Sequence, residues 1–192
     1  VLAKEDAEDY FEDGQDALKR MDLKSKDVVV GISASGKTPF VIGAVSYANE
    51  IGSSTIGVAC NVPSSLLDHV DLAIALPVGP EILTGSTRLK AGTAQKMVLN
   101  MLSTASMVQL GKVFQNLMID VKPKNQKLIQ RAQNIVKKLG QVDSERAKNI
   151  LEESGNDVKI AILMAKLGID TESARELIIR HGGYLNQALV SE

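Results

Sequence analysis

The chain has 192 residues, of which 44% are hydrophobic and 23% charged, a size and balance that fit one ordinary domain or one domain with a small appendage. Twenty-two basic and 23 acidic side chains leave a formal net charge of −1, which argues against a general nucleic-acid binder with its net or clustered positive field. Aromatic residues make up 3% and Trp is absent, so stacking platforms for sugars or bases are not expected and a small polar ligand would be held by hydrogen bonds and dipoles. The single cysteine, Cys60, excludes an internal disulfide framework and a cysteine-rich zinc site, and it fits a reducing compartment. His69 and His181 have no ligand spacing, so no metal site is expected. No apolar run approaches the roughly 20 residues that cross a bilayer, and no signal peptide opens the chain, so no membrane partner and a cytoplasmic location are expected. The chain opens on Val1 rather than Met and starts within a charged segment, which reads as a fragment or a processed chain.

In chain order, residues 3–21 read as a helix, acidic in its first half (Glu5 to Asp13) and closed by Lys19 and Arg20, as the helix dipole favours. Asp27 to Ile32 is a short continuous apolar run, suited to a strand covered on both faces of a parallel sheet. A hydroxyl-rich turn leads into a helix over about 39–51, and two more strand-like runs follow at Thr55–Cys60 and Asp71–Leu76. Strands alternating with helices predict βαβ units and an α/β sandwich. The longest helix is predicted over about 88–110, with Ala94, Met97, Val98, Met101, Leu102, Ala105 and Val108 forming a stripe expected to pack as core and Gly111 as its stop.

After Pro123 the sequence reads as short helices with an internal repeat at an interval of 27 residues. Asp143-Ser-Glu-Arg-Ala147 recurs as Asp170-Thr-Glu-Ser-Ala174, and Gly155 matches Gly182, so residues 143–162 correspond to 170–189. Each copy reads as helix, glycine turn, helix, with Ser144 and Thr171 as expected N-caps. Two units are too few for a solenoid, and they resemble one small bundle of the ubiquitin-associated-like kind. The expected division is 1–122 for the α/β part and 123–192 for the helical part.

Two segments could carry chemistry. Gly31-Ile-Ser33-Ala-Ser35-Gly36-Lys37-Thr38 satisfies the P-loop pattern between a strand and a helix, so a nucleotide hydrolase is one reading. Against it, neither later strand ends in an acidic residue that could hold Mg²⁺, and Pro39 removes a donor from the first turn. Extra hydroxyls at Ser33 and Ser35 suit direct bonding to a phosphate monoester, favoured at a helix N-terminus by free amides and the dipole. An ordinary Ser/Thr-capped helix would carry similar residues. The second segment, Gly79-Pro-Glu81-Ile-Leu-Thr84-Gly-Ser86-Thr87-Arg88-Leu-Lys90-Ala-Gly92-Thr93, follows the 71–76 strand and puts hydroxyls, cations and a carboxylate at the carboxyl edge of the sheet, where ligands bind in open α/β folds.

Gly79 to Lys96 resembles the signature shared by N-acetylmuramic acid 6-phosphate etherases and the glucokinase regulatory protein, and Val28 to Pro39 resembles the phosphosugar loop of sugar-isomerase (SIS) domains. Val113 to Asp120 and His181-Gly-Gly-Tyr184 also resemble the bacterial etherase. The resemblance implies a three-layer αβα, flavodoxin-like SIS domain, incomplete at its N-terminus, followed by the helical bundle. It implies that Ser33, Ser35 and Thr38 bind a 6-phosphate, that Gly36 admits the backbone, and that Glu81, Ser86, Thr87, Arg88 and Lys90 line the sugar and lactyl side. Lys37 stands where the family accepts Arg or Lys.

Ala7-Glu8-Asp9 matches a family element that supplies one of two catalytic glutamates, which makes Glu8 the catalytic candidate; composition alone would make it a solvated carboxylate. The other glutamate's element, Asp-Ala-Ser-Glu-Cys-Pro, and the family's first loop, Gly-Thr-Ser-Gly-Arg, are missing from these 192 residues. The implied reaction cleaves the D-lactyl ether of a phosphosugar by elimination and hydration, with no cofactor and a homodimer as the usual assembly. A non-catalytic phosphosugar-sensing regulator is the alternative, with the P-loop hydrolase third.

Overall fold

The computed structural model describes residues 6–190. Two compact units divide the chain after Asn100. The first contains α1 (Phe11–Arg20), β1 (Val28–Ser33), α2 (Pro39–Ile51), β2 (Ser54–Ala59), α3 (Ser65–Asp68), β3 (Leu72–Ala75) and the start of α4 (Lys90–Gln109). β1, β2 and β3 form a parallel sheet in that order, with Gly31 opposite Gly57 and Val58 opposite Ile74. The parallel, β-rich apolar runs thus form the expected α/β sheet.

Helices α2 and α3 cover the face that carries Gly31 and Gly57. A side chain at Gly31 would crowd Val41, Val45 and Leu66, and one at Gly57 would crowd Val70. Val45, Ala48, Ala59 and Leu66 are buried there, and Val58 is buried on the opposite face. The expectation of strands covered on both faces is met only in the middle of the sheet: β2 is largely buried, whereas Val28 and Leu72 on the flanking strands are more than half exposed. An apolar run reports that a strand can be covered, not that a neighbour is present.

Two further expectations are corrected. The first helix, expected over 3–21, begins at Phe11; residues 1–5 lie outside the described residues, and residues 6–8 form a turn. Asp6 has φ 68° and Tyr10 is extended at φ −107°, so the backbone leaves helical geometry before Phe11. The stripe on α4 does not pack as core: Met97, Met101 and Val108 are exposed, and the buried residue of this helix is Ala91. The spacing identifies an apolar face, of which Ala94, Val98 and Leu102 are only partly covered among the described residues.

The second unit contains the rest of α4, the hairpin β4 (Val113–Phe114) and β5 (Leu117–Met118), and helices α5 (Gln126–Gly140), α6 (Ser144–Glu153), α7 (Val158–Leu167), α8 (Thr171–Arg180) and α9 (Leu185–Val190). Its core gathers Ile119, Val136, Ile150, Ile162, Leu163 and Leu185. Helices α6 and α8 begin at Ser144 and Thr171, 27 residues apart, and Gly155 and Gly182 both adopt positive φ. The caps, however, are Asp143 and Asp170, whose carboxylates accept from the amides of Arg146 and Ser173 at 2.8 Å. Ser144 and Thr171 are the first helical residues. Aspartate reaches the same amide with a charged acceptor that also suits the helix dipole. The Asp170 carboxyl is held below its ordinary range by the Ser173 amide.

Tyr184 ties the His181–Tyr184 segment to the end of α4 within this unit. Its hydroxyl donates to the Gln109 carbonyl at 2.6 Å at the end of α4, and its ring lies where a side chain on Gly111 would be. Lys159 Nζ donates to the Gly183 carbonyl at 2.7 Å, and Lys112 pairs with Asp120 at 2.9 Å across the base of the hairpin.

Candidate functional site

The loop between β1 and α2 is organised by its own hydroxyls. Ser33 is 5% exposed, and its Oγ lies 2.8 Å from Thr38 Oγ1 and 3.2 Å from Ser35 Oγ while accepting from the Gly36 amide at 3.0 Å. The Lys37 amide donates to Ser35 Oγ at 3.2 Å. Gly36 takes φ +69°, and a Cβ there would stand 2.4 Å from Ser64 Oγ, so both conformation and space require glycine. The Gly36 carbonyl accepts from the Leu66 amide, and the Ala34 carbonyl from the Cys60 amide, which ties the loop to the segment after β2. Pro39 occupies the first helical position of α2, where a missing N–H costs no intrahelical bond.

This loop opens onto a cleft of about 360 Å³ lined by Glu8, Asp9, Ala34, Ser35, Lys37, Thr38, Pro39 and Thr87. Of the residues expected to bind phosphate, Ser35 and Thr38 line the cleft, whereas Ser33 and Gly36 stand behind it and shape the loop. Glu8 reaches the cleft because its main chain is attached to α2: the Phe40 amide donates to the Glu8 carbonyl at 3.1 Å. Pro39 has no amide, so Phe40 offers the first N–H of α2, and Glu8 occupies it. The cleft therefore combines two carboxylates, three hydroxyls (Ser35, Thr38, Thr87) and one ammonium. Hydroxyls and an ammonium at a helix N-terminus can hold a phosphate, and an exposed carboxylate beside them can move a proton.

The second segment is brought to the cleft only at Thr87. Glu81 is committed elsewhere: its two carboxylate oxygens accept from the amides of Lys90 and Ala91, each at 3.0 Å, at the N-terminus of α4. Those two bonds hold its carboxyl below the ordinary glutamate range. Ser86, Arg88 and Lys90 lie outside the cleft. Cys60 is buried beside the same helix start, and burial, with the Glu81 charge second, pushes its thiol up.

Asp9 and Lys37 also line the cleft, beyond the residues that the resemblance implies. Their signal was adjacency, since each sits directly beside a residue that was named.

Comparison with known proteins places the chain among relatives. The SIS domain family model matches residues 9–105, and the model described as the C-terminal lid domain of glucokinase regulatory protein matches residues 115–161. The chain is 52% identical over 191 residues to the N-acetylmuramic acid 6-phosphate etherase of Vibrio campbellii, covering 100% of this chain and 62% of that protein. It is 48% identical to the enzyme of that name from Mesorhizobium japonicum (98% of this chain, 62% of that one) and 52% identical to that from Pectobacterium atrosepticum (99% and 63%). The chain thus spans about three fifths of the length of the curated relatives it matches. With the domain match running from Asp9 through the hydroxyl loop and into α4, the chain belongs to the SIS domain family.

Proposed function

We propose that this chain is the phosphosugar-binding part of an etherase that converts N-acetylmuramic acid 6-phosphate to N-acetylglucosamine 6-phosphate and D-lactate in the recycling of cell-wall amino sugars. The observation that carries the reading is the convergence of Glu8 with Ser35, Lys37, Thr38 and Thr87 on one cleft, in a chain about half identical to proteins of that name. Ser35, Thr38 and the Lys37 ammonium hold the 6-phosphate, and Ser33 and Gly36 keep their loop in shape. In the open-chain sugar the C2 hydrogen is acidic because it lies α to the aldehyde, and lactate at C3 is a β-leaving group. Glu8 takes the C2 proton, a second acid protonates the departing lactate oxygen, and water then adds across the alkene. Each positioned acid or base contributes about 10²–10⁴-fold.

These 192 residues hold one of the two glutamates that the resemblance implies, so turnover belongs to a longer protein and the present chain alone is inactive. The assembly is a homodimer, a reading supported by the exposed apolar row on α4, and its location is the cytoplasm. Among the described residues no helix is long and apolar enough to cross a membrane. The test is D-lactate release by a family-length protein containing this chain. Glu8→Gln should reduce kcat by at least about 10²-fold while leaving phosphosugar binding intact. Unchanged turnover in that variant would remove Glu8 from the mechanism.

A sensing role without catalysis is the second reading, favoured by the match of residues 115–161 to the lid domain of a regulatory protein. It predicts binding of the phosphosugar without lactate release. A nucleotide hydrolase is disfavoured because the Gly36 and Lys37 amides donate to serine hydroxyls rather than standing free to cradle phosphates.

A further inference from the structure

α1, which follows Glu8, and α2, which follows the hydroxyl loop, approach each other through two glycines. A Cβ built on Gly14 would lie 1.9 Å from the Phe40 carbonyl oxygen and 2.9 Å from the Ala44 amide nitrogen. A Cβ on Gly43 would lie 2.0 Å from the Phe11 carbonyl oxygen. The obstructing atoms are backbone in both cases, so no side chain can turn aside to make room. The two helices meet main chain to main chain at one crossing. Gly14 is buried at it although α1 is otherwise a charged, half-exposed helix.

This crossing lies immediately downstream of both parts of the cleft. α1 starts three residues after Glu8, and α2 starts directly after Thr38. The bond from the Phe40 amide to the Glu8 carbonyl spans the same joint, on the residue whose carbonyl packs against Gly14. We propose that Gly14 and Gly43 are positioning residues that place Glu8 over the phosphate loop by permitting this backbone-to-backbone contact. The proposal rests on the reading of Glu8 as the catalytic base. A methyl group at either glycine would have to reach at least 3.0 Å from an oxygen now 1.9 or 2.0 Å away, so the helices must part by about 1 Å. That separation carries Glu8 away from the loop without altering any group that touches the phosphate.

The test compares Gly14→Ala, Gly43→Ala, Glu8→Gln and, as a control on an exposed face of α1, Glu12→Ala. Turnover is measured in the family-length protein, and amide hydrogen exchange at Phe40 in the present chain. Both glycine variants should lower kcat about 10²-fold with KM changed less than about threefold, and should lose protection of the Phe40 amide, while Glu12→Ala matches the parent. Simple destabilisation would lower the amount of active enzyme and leave kcat per active site unchanged, so active sites are titrated with a bound phosphosugar. Wild-type kcat in either glycine variant overturns the proposal. Should alanine prevent folding, the unsubstituted chain decides: Phe40 protected like the interior of α2 supports the joint, and exchange at the rate of free peptide overturns it. If Glu8→Gln retains full turnover, the functional reading fails, and the exchange data still judge the crossing.

Discussion

Ser64 and Gly36 show what a single position in this loop can bear. Ser64 is 4% exposed, caps α3 by position, and yet its hydroxyl has no hydrogen-bond partner among the described residues; it is packed instead against the α-carbon of Gly36. A buried hydroxyl left unpaired is a cost, so Ser64→Ala, which keeps the shape and removes the orphan, should fall within about 1 kcal/mol of the parent or exceed it in chemical denaturation. A loss above about 2 kcal/mol would show that the hydroxyl has a partner in solution. Gly36→Ala behaves oppositely. It incurs about 1–2 kcal/mol for a left-handed residue and about 1–3 kcal/mol for overpacking against Ser64. The same variant should lose affinity for inorganic phosphate, because Ser35 and Thr38 depend on this turn. Calorimetric titration of phosphate would measure that loss, and unchanged affinity would detach the loop from the anion.

At the level of elements, the start of α4 is held by one carboxylate that closes the preceding loop onto two free amides. The bonds from Ala91 and Lys90 lower the Glu81 pKa in the folded state, so the stabilisation is present above the unfolded carboxylate range and is lost as pH falls through the lowered folded value. Glu81→Ala should therefore melt below the parent at neutral pH, and the two melting curves should converge in acid. A constant gap at all pH values would show that the carboxylate charge contributes nothing to this cap. The same element view explains what the sequence could reveal. Pro39, at the first helical position, marked the start of α2, and the apolar runs marked the three strands. The start of α1 was hidden because the Glu8 carbonyl is taken by Phe40, 32 residues away in the chain, and no local pattern encodes that bond. The hairpin β4–β5 escaped because two residues per strand carry no alternation. Glu81 resembled a pocket residue because its neighbours are polar, whereas its partners are backbone amides that composition does not show.

For the molecule as a whole, the exposed row on α4 is the feature that its own fold leaves unexplained. Met97, Met101 and Val108 are each more than half exposed. The spacing of this row made it legible as an apolar face, yet a face does not name what covers it, and the same holds for Leu72 at the edge of the sheet. Contiguous apolar surface on a folded chain marks an interaction site, which is why a second copy is the proposed occupant. Charge placed on that row would have to be desolvated in any such interface, at a cost that a neutral methionine does not incur. Met97→Glu with Met101→Glu should therefore convert a dimer to a monomer in sedimentation velocity at micromolar concentration, with the Phe40 amide still protected because α1 and α2 are untouched. A parent chain that sediments as a monomer across that range, or a doubly charged variant that remains dimeric, would move the proposed interface away from α4.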